Sequence, residues 1–389
     1  MKLRKRTAAL VRRTAATVLA LWLLAPAGCR SDGEGIFEAD VSRGERATLE
    51  EIAAGWRVIP LATPDTVRPI GEVQTMKCCD GRIFLQEQRT RRILAFEEGR
   101  FTGELARAGR GPEEYGEIGT FTYDAVHDRI LLFDRNTRTL KGYARTTGRL
   151  EQSLTLDFYV AALEQVAGSR FLALRETSAP GNDDAVALLL DLHDGSVAAR
   201  LPLTPVQSNL LTDMAITREG EGSLLLALPG AENRIYRVDS TGFTLLARVG
   251  FGRAGAERRF WEGRCDDPFY LAEWLESGAP AAIAPSYCQL RDGRMLLWYV
   301  SRYGSAREAR PGLSLLLADT TAQRAVAELV IEGVEGTIQP FCAAEGRYFT
   351  LIHPGDITDA GRSPLAAELA AAAARNSDAD NPLLVVFKL

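Results

Sequence analysis

The densest polar chemistry in the sequence lies in one short run, ARAGRGPEEYG, where Arg107, Arg110, Glu113, Glu114 and Tyr115 surround Gly109, Gly111 and Pro112. Guanidinium, carboxylate and phenol groups on a loop stiffened by Pro offer donors, acceptors and a ring with which to grip a ligand. The competing use of the same groups is structural, since Arg–Glu pairs also tie neighbouring loops together. An apolar strand pattern follows the run, so its glycines do not open a helix and do not form a phosphate cradle. These five residues are the candidate binding set.

Catalytic chemistry is sparse. Of the three histidines, His127 and His193 fall in tight turns and His353 precedes Pro354, so none stands beside a nucleophile. GxSxG, HExxH and Walker patterns are missing from the sequence. Asp378, Asp380 and Asn381 begin like a calcium loop, but Pro382 interrupts it and the remaining ligands do not follow. Asp266 and Asp267 are adjacent and diverge in most backbones. No catalytic residue, metal ligand or cofactor site is therefore assigned.

Six cysteines are present: Cys29, then Cys78, Cys79, Cys265, Cys288 and Cys342. No CxxC spacing suggests zinc. The vicinal pair Cys78 and Cys79 must point to opposite faces of a strand. Pairing among the five later cysteines stays open, with at least one thiol left over and a buried apolar environment as the expected place for each.

The first residues read as an address. Lys2, Arg4, Lys5, Arg6, Arg12 and Arg13 precede an apolar run from Ala15 to Ala25 that is too short to span a bilayer. It ends at Pro26-Ala27-Gly28-Cys29, which resembles a bacterial lipobox and makes Cys29 the expected lipidation site. Residues 1–29 are thus a lipoprotein signal peptide and residues 30–54 a polar tether of little periodicity, followed by one domain over residues 55–389. The expected location is the cell envelope, at the outer membrane and on its periplasmic or surface side, as a lipid-anchored monomer. With 46% hydrophobic residues, 25% charged residues and a net charge of −5, the chain can bury a large core and carries no basic stripe for nucleic acid.

What must position these residues is a repeat. From Arg82 the chain runs RIFLQEQRTRRILAFEEGRFTGEL, and from Arg129 it runs RILLFDRNTRTLKGYARTTGRLEQSL, each an apolar strand, a polar loop, a second strand, a Gly turn and a third strand. Equivalent strands start at Arg170, Ser223, Arg294 and Arg347, each after a compact turn such as Asp80-Gly81 or Glu345-Gly346, and another strand precedes each turn. The pattern predicts an all-β, six-bladed β-propeller of four-stranded antiparallel blades. The last unit ends at Leu383–Leu389 without an outer strand, and the segment from Trp56 to Ala62 is a strand without a blade. Pairing the two closes the ring and removes an exposed edge.

On the segments IPLATPDTVRPIGEV, GRGPEEYGEIG and DNPLLVVFKL, the chain resembles a family of bacterial six-bladed β-propeller lipoproteins, similar in outline to NHL-type propellers. Ala62 stands where that family commonly has Glu, and Glu113 where its loop has Gly. The resemblance spans residues 57–389 and implies the fold and the anchor while assigning no activity.

The insertions fall on one side. Turns joining first to second and third to fourth strands are short throughout, whereas long segments occur at residues 106–118, 176–184, 251–280, 301–311 and 353–382. The long-loop face is the expected functional face. Within it, Ser363-Pro364 opens an Ala-rich helix to Arg375, and Phe260, Trp261, Phe269, Tyr270 and Trp274 cluster around Cys265. Two functions follow: a non-enzymatic recognition module for a peptide, glycan or partner protein, and, alternatively, a metal-dependent hydrolase or lactonase-like propeller.

Overall fold

The computed structural model describes residues 36–105, 107–176, 185–202, 211–230, 232–255, 261, 282–291, 293–301, 312–319, 322–376 and 381–389. The signal peptide, Cys29, Cys265, the two Asp pairs and most long insertions lie outside them.

After β1 (Phe37–Glu38), β2 (Glu45–Thr48), α1 (Leu49–Ile52) and β3 (Gly55–Pro60), the chain builds blades in order. Blade 1 is β4 (Val73–Cys79), β5 (Arg82–Glu87), β6 (Ile93–Glu97) and β7 (Arg100–Leu105). Blade 2 is β8 (Ile118–Asp124), β9 (Arg129–Asp134), β10 (Thr139–Ala144) and β11 (Leu150–Thr155). Blade 3 is β12 (Val160–Ala167), β13 (Arg170–Arg175), β14 (Ala185–Asp191) and β15 (Val197–Pro202). Blade 4 is β16 (Ile216–Gly220), β17 (Ser223–Leu228), β18 (Asn233–Asp239) and β19 (Gly242–Gly250). Blade 5 is β20 (Ala282–Arg291), β21 (Arg294–Ser301), β22 (Gly312–Ala318) and β23 (Gln323–Val330). Blade 6 takes β24 (Cys342–Ala344), β25 (Arg347–Ile352) and β26 (Leu383–Lys388), with α2 (Pro364–Arg375) between the last two. Its fourth strand is β3, antiparallel to β26 from Leu383↔Pro60 to Lys388↔Gly55. The ring is closed by an N-terminal strand, as its sequence implies.

Burial follows position within a blade. Middle strands such as β9 and β14 are apolar and buried almost throughout, because a neighbouring blade covers each face. Outer strands β11 and β15 alternate half-buried and exposed residues with a period of two. Apolar clusters accordingly form between neighbouring blades, and the one between blades 6 and 1 joins Ile59, Leu61, Met76, Cys78 and Leu384. Cys79 lies in the next cluster, between blades 1 and 2, so the vicinal cysteines do diverge.

The tether expected over residues 30–54 is corrected from Phe37 onward. β1 adds a parallel fifth strand to the outer edge of blade 4, and β2 does the same for blade 5. Ala39 and Val41 are buried between blades 4 and 5, and Ala47 and Leu49 between blades 5 and 6. The outer edges of these blades present unpaired backbone groups, and a polar segment with a few small apolar anchors suffices to cover them. A reciprocal pair, Glu51 N–H to Thr48 Oγ1 and Thr48 N–H to Glu51 Oε2, then starts α1.

Helix α2 matches its predicted bounds. Ser363 caps it by accepting from the Ala366 N–H at 3.1 Å, Pro364 occupies the first turn, and Leu365, Ala366, Leu369 and Ala372 are buried. It packs on β3, where Trp56 Nε1 donates to Glu368 at 3.0 Å, and its buried face joins the apolar cluster between blades 5 and 6 as a structural lid.

Candidate binding site

The crossing from blade 1 to blade 2 is built inward. Tyr115 is fully buried, and its hydroxyl donates to Arg91 O at 2.8 Å, lies 3.1 Å from Leu105 O and accepts from the Arg107 N–H. Burial pushes its phenol pKa up to about 12. Backbone bonds from Tyr115 N to Arg107 O and from Gly109 N to Tyr115 O close the loop on itself, and the Glu114 carboxylate accepts from Gly111 N–H at 2.7 Å. A Cβ at Gly109 would lie 1.9 Å from Glu114 Oε2, so a larger residue there would have to displace that carboxylate from the Gly111 N–H. Lys141 and Tyr143 of blade 2 hold the carbonyls of Glu114 and Glu113.

The expected binding set therefore divides. Tyr115 and Glu114 act as posts of the loop, the Tyr115 hydroxyl being held by the backbone of Arg91 and Leu105 and the Glu114 carboxylate by the Gly111 N–H. Arg110 and Glu113 are exposed, and Arg107 reaches Glu113 at 3.4 Å across solvent, a pair worth about 0–1 kcal/mol. Replacing Tyr115 by Phe is expected to cost about 1–3 kcal/mol in urea unfolding, since buried groups lose their partner. Arg110→Ala is expected to stay within about 0.5 kcal/mol of the parent in the same assay.

The central channel is plugged by charge. Lys77 of β4 reaches across to blades 3 and 4, with Nζ 2.6 Å from Asp213 Oδ1 and 3.1 Å from Glu164 Oε2. Arg218 of β16 holds the other oxygen of Glu164, and the Thr120 hydroxyl lies 3.3 Å from Asp213. A parallel bridge between Arg218 and Ala344 also joins the first strands of blades 4 and 6. Burial opposes the charge on Lys77, but the carboxylates of Asp213 and Glu164 outweigh it and raise its pKa. Burial likewise opposes the Glu164 carboxylate, yet Lys77 and Arg218 bring its pKa below the usual value; Asp213, with a smaller share of the cations, is held above it by burial. A cavity of about 20 Å³ remains among Lys77, Cys78, Glu164, Asp213, Tyr287 and Cys342, enough for about one water.

The histidines sit on separate blades, and His127 Nδ1 lies 2.8 Å from Asp124 Oδ2 in the β8–β9 turn. Among the described residues, no three His, Cys, Asp or Glu side chains converge as a metal set. Asn381, singled out beside the Asp pair, is buried and committed: its Oδ1 accepts from Ile70 N–H at 2.7 Å and its Nδ2 donates to Thr63 at 2.8 Å.

A cleft on the short-turn face escaped sequence reasoning. It holds about 550 Å³ between blades 5 and 6, over a floor that includes Leu296, Leu317 and Ala318. Among the described residues, Arg291, Arg294, Arg324 and Lys388 line it with one acidic side chain, Asp319, and the Nε2 of Gln289 is buried there without a hydrogen-bond partner. Arg324 is engaged by Glu45 of β2. Its residues come from the four strands of blade 5, the end of β26, two turns and the segment around the end of α1, so no local motif could announce it.

A family model described as a 6-bladed beta-propeller, DUF5128, matches residues 32–260, more than half of the chain. The chain belongs to this family. The DUF5128 propeller is similar in fold to a crystal structure from Bacteroides fragilis described as an exported protein, with 14% identity, a TM-score of 0.67, and coverage of 91% of this chain and 99% of that one. A DUF4221 member from Bacteroides vulgatus matches at 10% identity with a TM-score of 0.44 over 87% of this chain and 96% of that one. BamB from Moraxella catarrhalis matches at 8% and 0.40, over 87% and 99%. No curated protein matches. At these identities the likeness is one of fold, and function has to be argued from the site.

Proposed function

We propose that this DUF5128 propeller is an exported, lipid-anchored recognition module of the cell envelope that captures an acidic, extended segment of a partner protein in the cleft between blades 5 and 6. One observation carries the reading: Arg294 and Lys388 stand over an apolar floor beside an orphan amide donor, Gln289 Nε2, in a cleft large enough for several side chains. Carboxylates of a bound segment would pair with Arg294 and Lys388, and alternate apolar side chains would cover Leu296 and Leu317. The cations are local on a chain of net charge −5, whereas a nucleic acid needs an extended basic track. A metal-dependent hydrolase draws no support from the channel, where Glu164 and Asp213 are already held by Lys77 and Arg218.

Attachment rests on the leader and on Cys29, with the outer membrane as the destination. Cys29→Ala is expected to move the protein from the membrane fraction to the soluble envelope fraction, because each buried acyl methylene contributes about 0.8 kcal/mol to anchoring. Unchanged fractionation would remove the anchor from the account. Recognition by charge predicts that reversing Arg294 and Lys388 together to Glu weakens capture by at least about tenfold; a neutral glycan or peptide would be indifferent to that change.

A further inference from the structure

Cys78 and Cys342 lie on the first strands of blades 1 and 6, which adjoin across the seam where the ring closes. Both side chains belong to the apolar cluster of that seam, with Ile59, Met76, Leu85 and Leu384, and both line the small cavity at the channel axis. Cys78 and Cys79 both border a second cavity of about 210 Å³ that lies among Arg57, Arg82, Glu98 and Arg347 at the same seam. The other described cysteines belong to other interfaces: Cys79 faces blade 2 and Cys288 lies between blades 4 and 5.

Both are free thiols in this structure, and we propose that on oxidation Cys78 and Cys342 form a disulfide that staples blade 6 to blade 1. It would act beside the β3–β26 ladder, crossing the seam at the channel while the ladder completes blade 6 at its rim. Burial raises the Cys78 thiol well above its usual pKa, and the neighbouring Cys342 thiol raises it further. Exchange in the finished ring is therefore slow, and the bond forms as the last blade docks, while solvent still reaches both sulfurs. The oxidant is a low-molecular-weight disulfide such as oxidised glutathione. The Cys78 thiolate attacks one of its sulfurs, forming a mixed disulfide and expelling one glutathione thiolate. The Cys342 thiolate then attacks the Cys78 sulfur and expels the second. Two cysteine thiols are oxidised, one glutathione disulfide is reduced, and the two protons lost by the cysteines end on the two glutathione thiols. The bond spans 342 − 78 = 264 residues, so it constrains most of the unfolded chain.

The test is to refold the full chain in a buffer of oxidised and reduced glutathione, quench with acid, alkylate and map the peptides. The expected result is a linked peptide pair carrying Cys78 and Cys342, with two of the six thiols lost. The melting temperature of this form should exceed that of the reduced one, with the difference lost in Cys78→Ser and Cys342→Ser and kept in Cys79→Ser. Six alkylatable thiols after oxidative refolding, or a link joining Cys78 to Cys79 or to any cysteine other than Cys342, would overturn the proposal. If a serine variant fails to fold, the map of the parent chain decides alone. The refolding needs no export, so failure of the envelope reading and failure of the staple are separate outcomes.

Discussion

A chain lacking residues 55–62 is expected to be recovered as aggregate, with no folded monomer. The deletion removes the six-pair ladder to β26 and exposes the edge of a strand whose Leu383, Leu384 and Val385 are fully buried in the intact ring. It also removes Ile59 and Leu61 from the seam cluster, at about 1.5–3 kcal/mol for each large side chain. The β6–β7 turn loses its partner as well, since Gly99 packs so closely on Pro60 that a Cβ there would lie 2.5 Å from the carbonyl oxygen, and Ala62 N bonds to Gly99 O. Against a total stability of about 5–15 kcal/mol, these losses together exceed what a domain can absorb. Removing residues 1–36 is expected to leave the melting temperature unchanged. Removing 36–48 should lower it moderately, because Ala39, Val41 and Ala47 leave buried sites while all six blades keep their four strands. Size-exclusion chromatography and thermal melts of the three truncations check this ordering. A soluble, cooperatively melting chain without residues 55–62 would contradict closure by β3.

Lys77→Ala is expected to destabilise the propeller by about 3–5 kcal/mol at pH 7, because it leaves Asp213 without its cation and Glu164 with Arg218 alone, both in a buried site. The pH dependence follows from the same charges. In the parent chain the Glu164 carboxyl titrates below its ordinary value, so its contribution is present in full above the unfolded pKa, near 4.5, and is lost as pH falls through the folded one. In the variant the loss of Lys77 raises both folded carboxyl pKa values, and protonation then relieves the repulsion. The gap between parent and variant should therefore narrow as pH drops from 7 towards 4.5. Urea unfolding at pH 7 and pH 5 measures it. A variant within about 0.5 kcal/mol of the parent at pH 7 would mean that the plug contributes nothing to stability.

Where the chain uses local chemistry, the fold is legible in the sequence. The second strand starts at the residue after its turn signal in five blades and one residue later, at Arg170, in blade 3; in blades 1 and 6 Asp-Gly and Glu-Gly supply the left-handed backbone a two-residue turn requires, with φ of 51° and 75° at Asp80 and Gly81 and of 54° and 72° at Glu345 and Gly346. The N-terminal edge strands are not legible. Their sequence carries little periodicity, and it is the open edges of blades 4 and 5 that make them strands. The channel plug is equally hidden, since Lys77 and Asp213 are 136 residues apart and meet only when the ring closes.

The segments that carry the family resemblance turn out to serve the seam and the crossings. In the first, Arg92 donates to the carbonyls of Arg68 and Pro69, and Glu87 accepts from Gly71 N–H. In the second, Tyr115 locks the crossing; in the third, Asn381 ties the final strand to Ile70 and Thr63. These are requirements of closing a ring, which is why they announce a fold and say nothing of a ligand. The expected long-loop face lies largely outside the described residues, whereas the cleft with clustered cations lies on the face where the turns are short.

Isothermal titration of the propeller with a synthetic peptide of alternating Glu and Leu tests the claim of charge-based recognition most directly. The account predicts one saturable site, weakened by added salt and by at least about tenfold, or 1.4 kcal/mol, when Arg294 and Lys388 are both Glu. The same titration should be indifferent to Arg110→Ala and to a metal chelator. Equal affinity in the charge-reversed variant, or no binding by the parent chain, would contradict it.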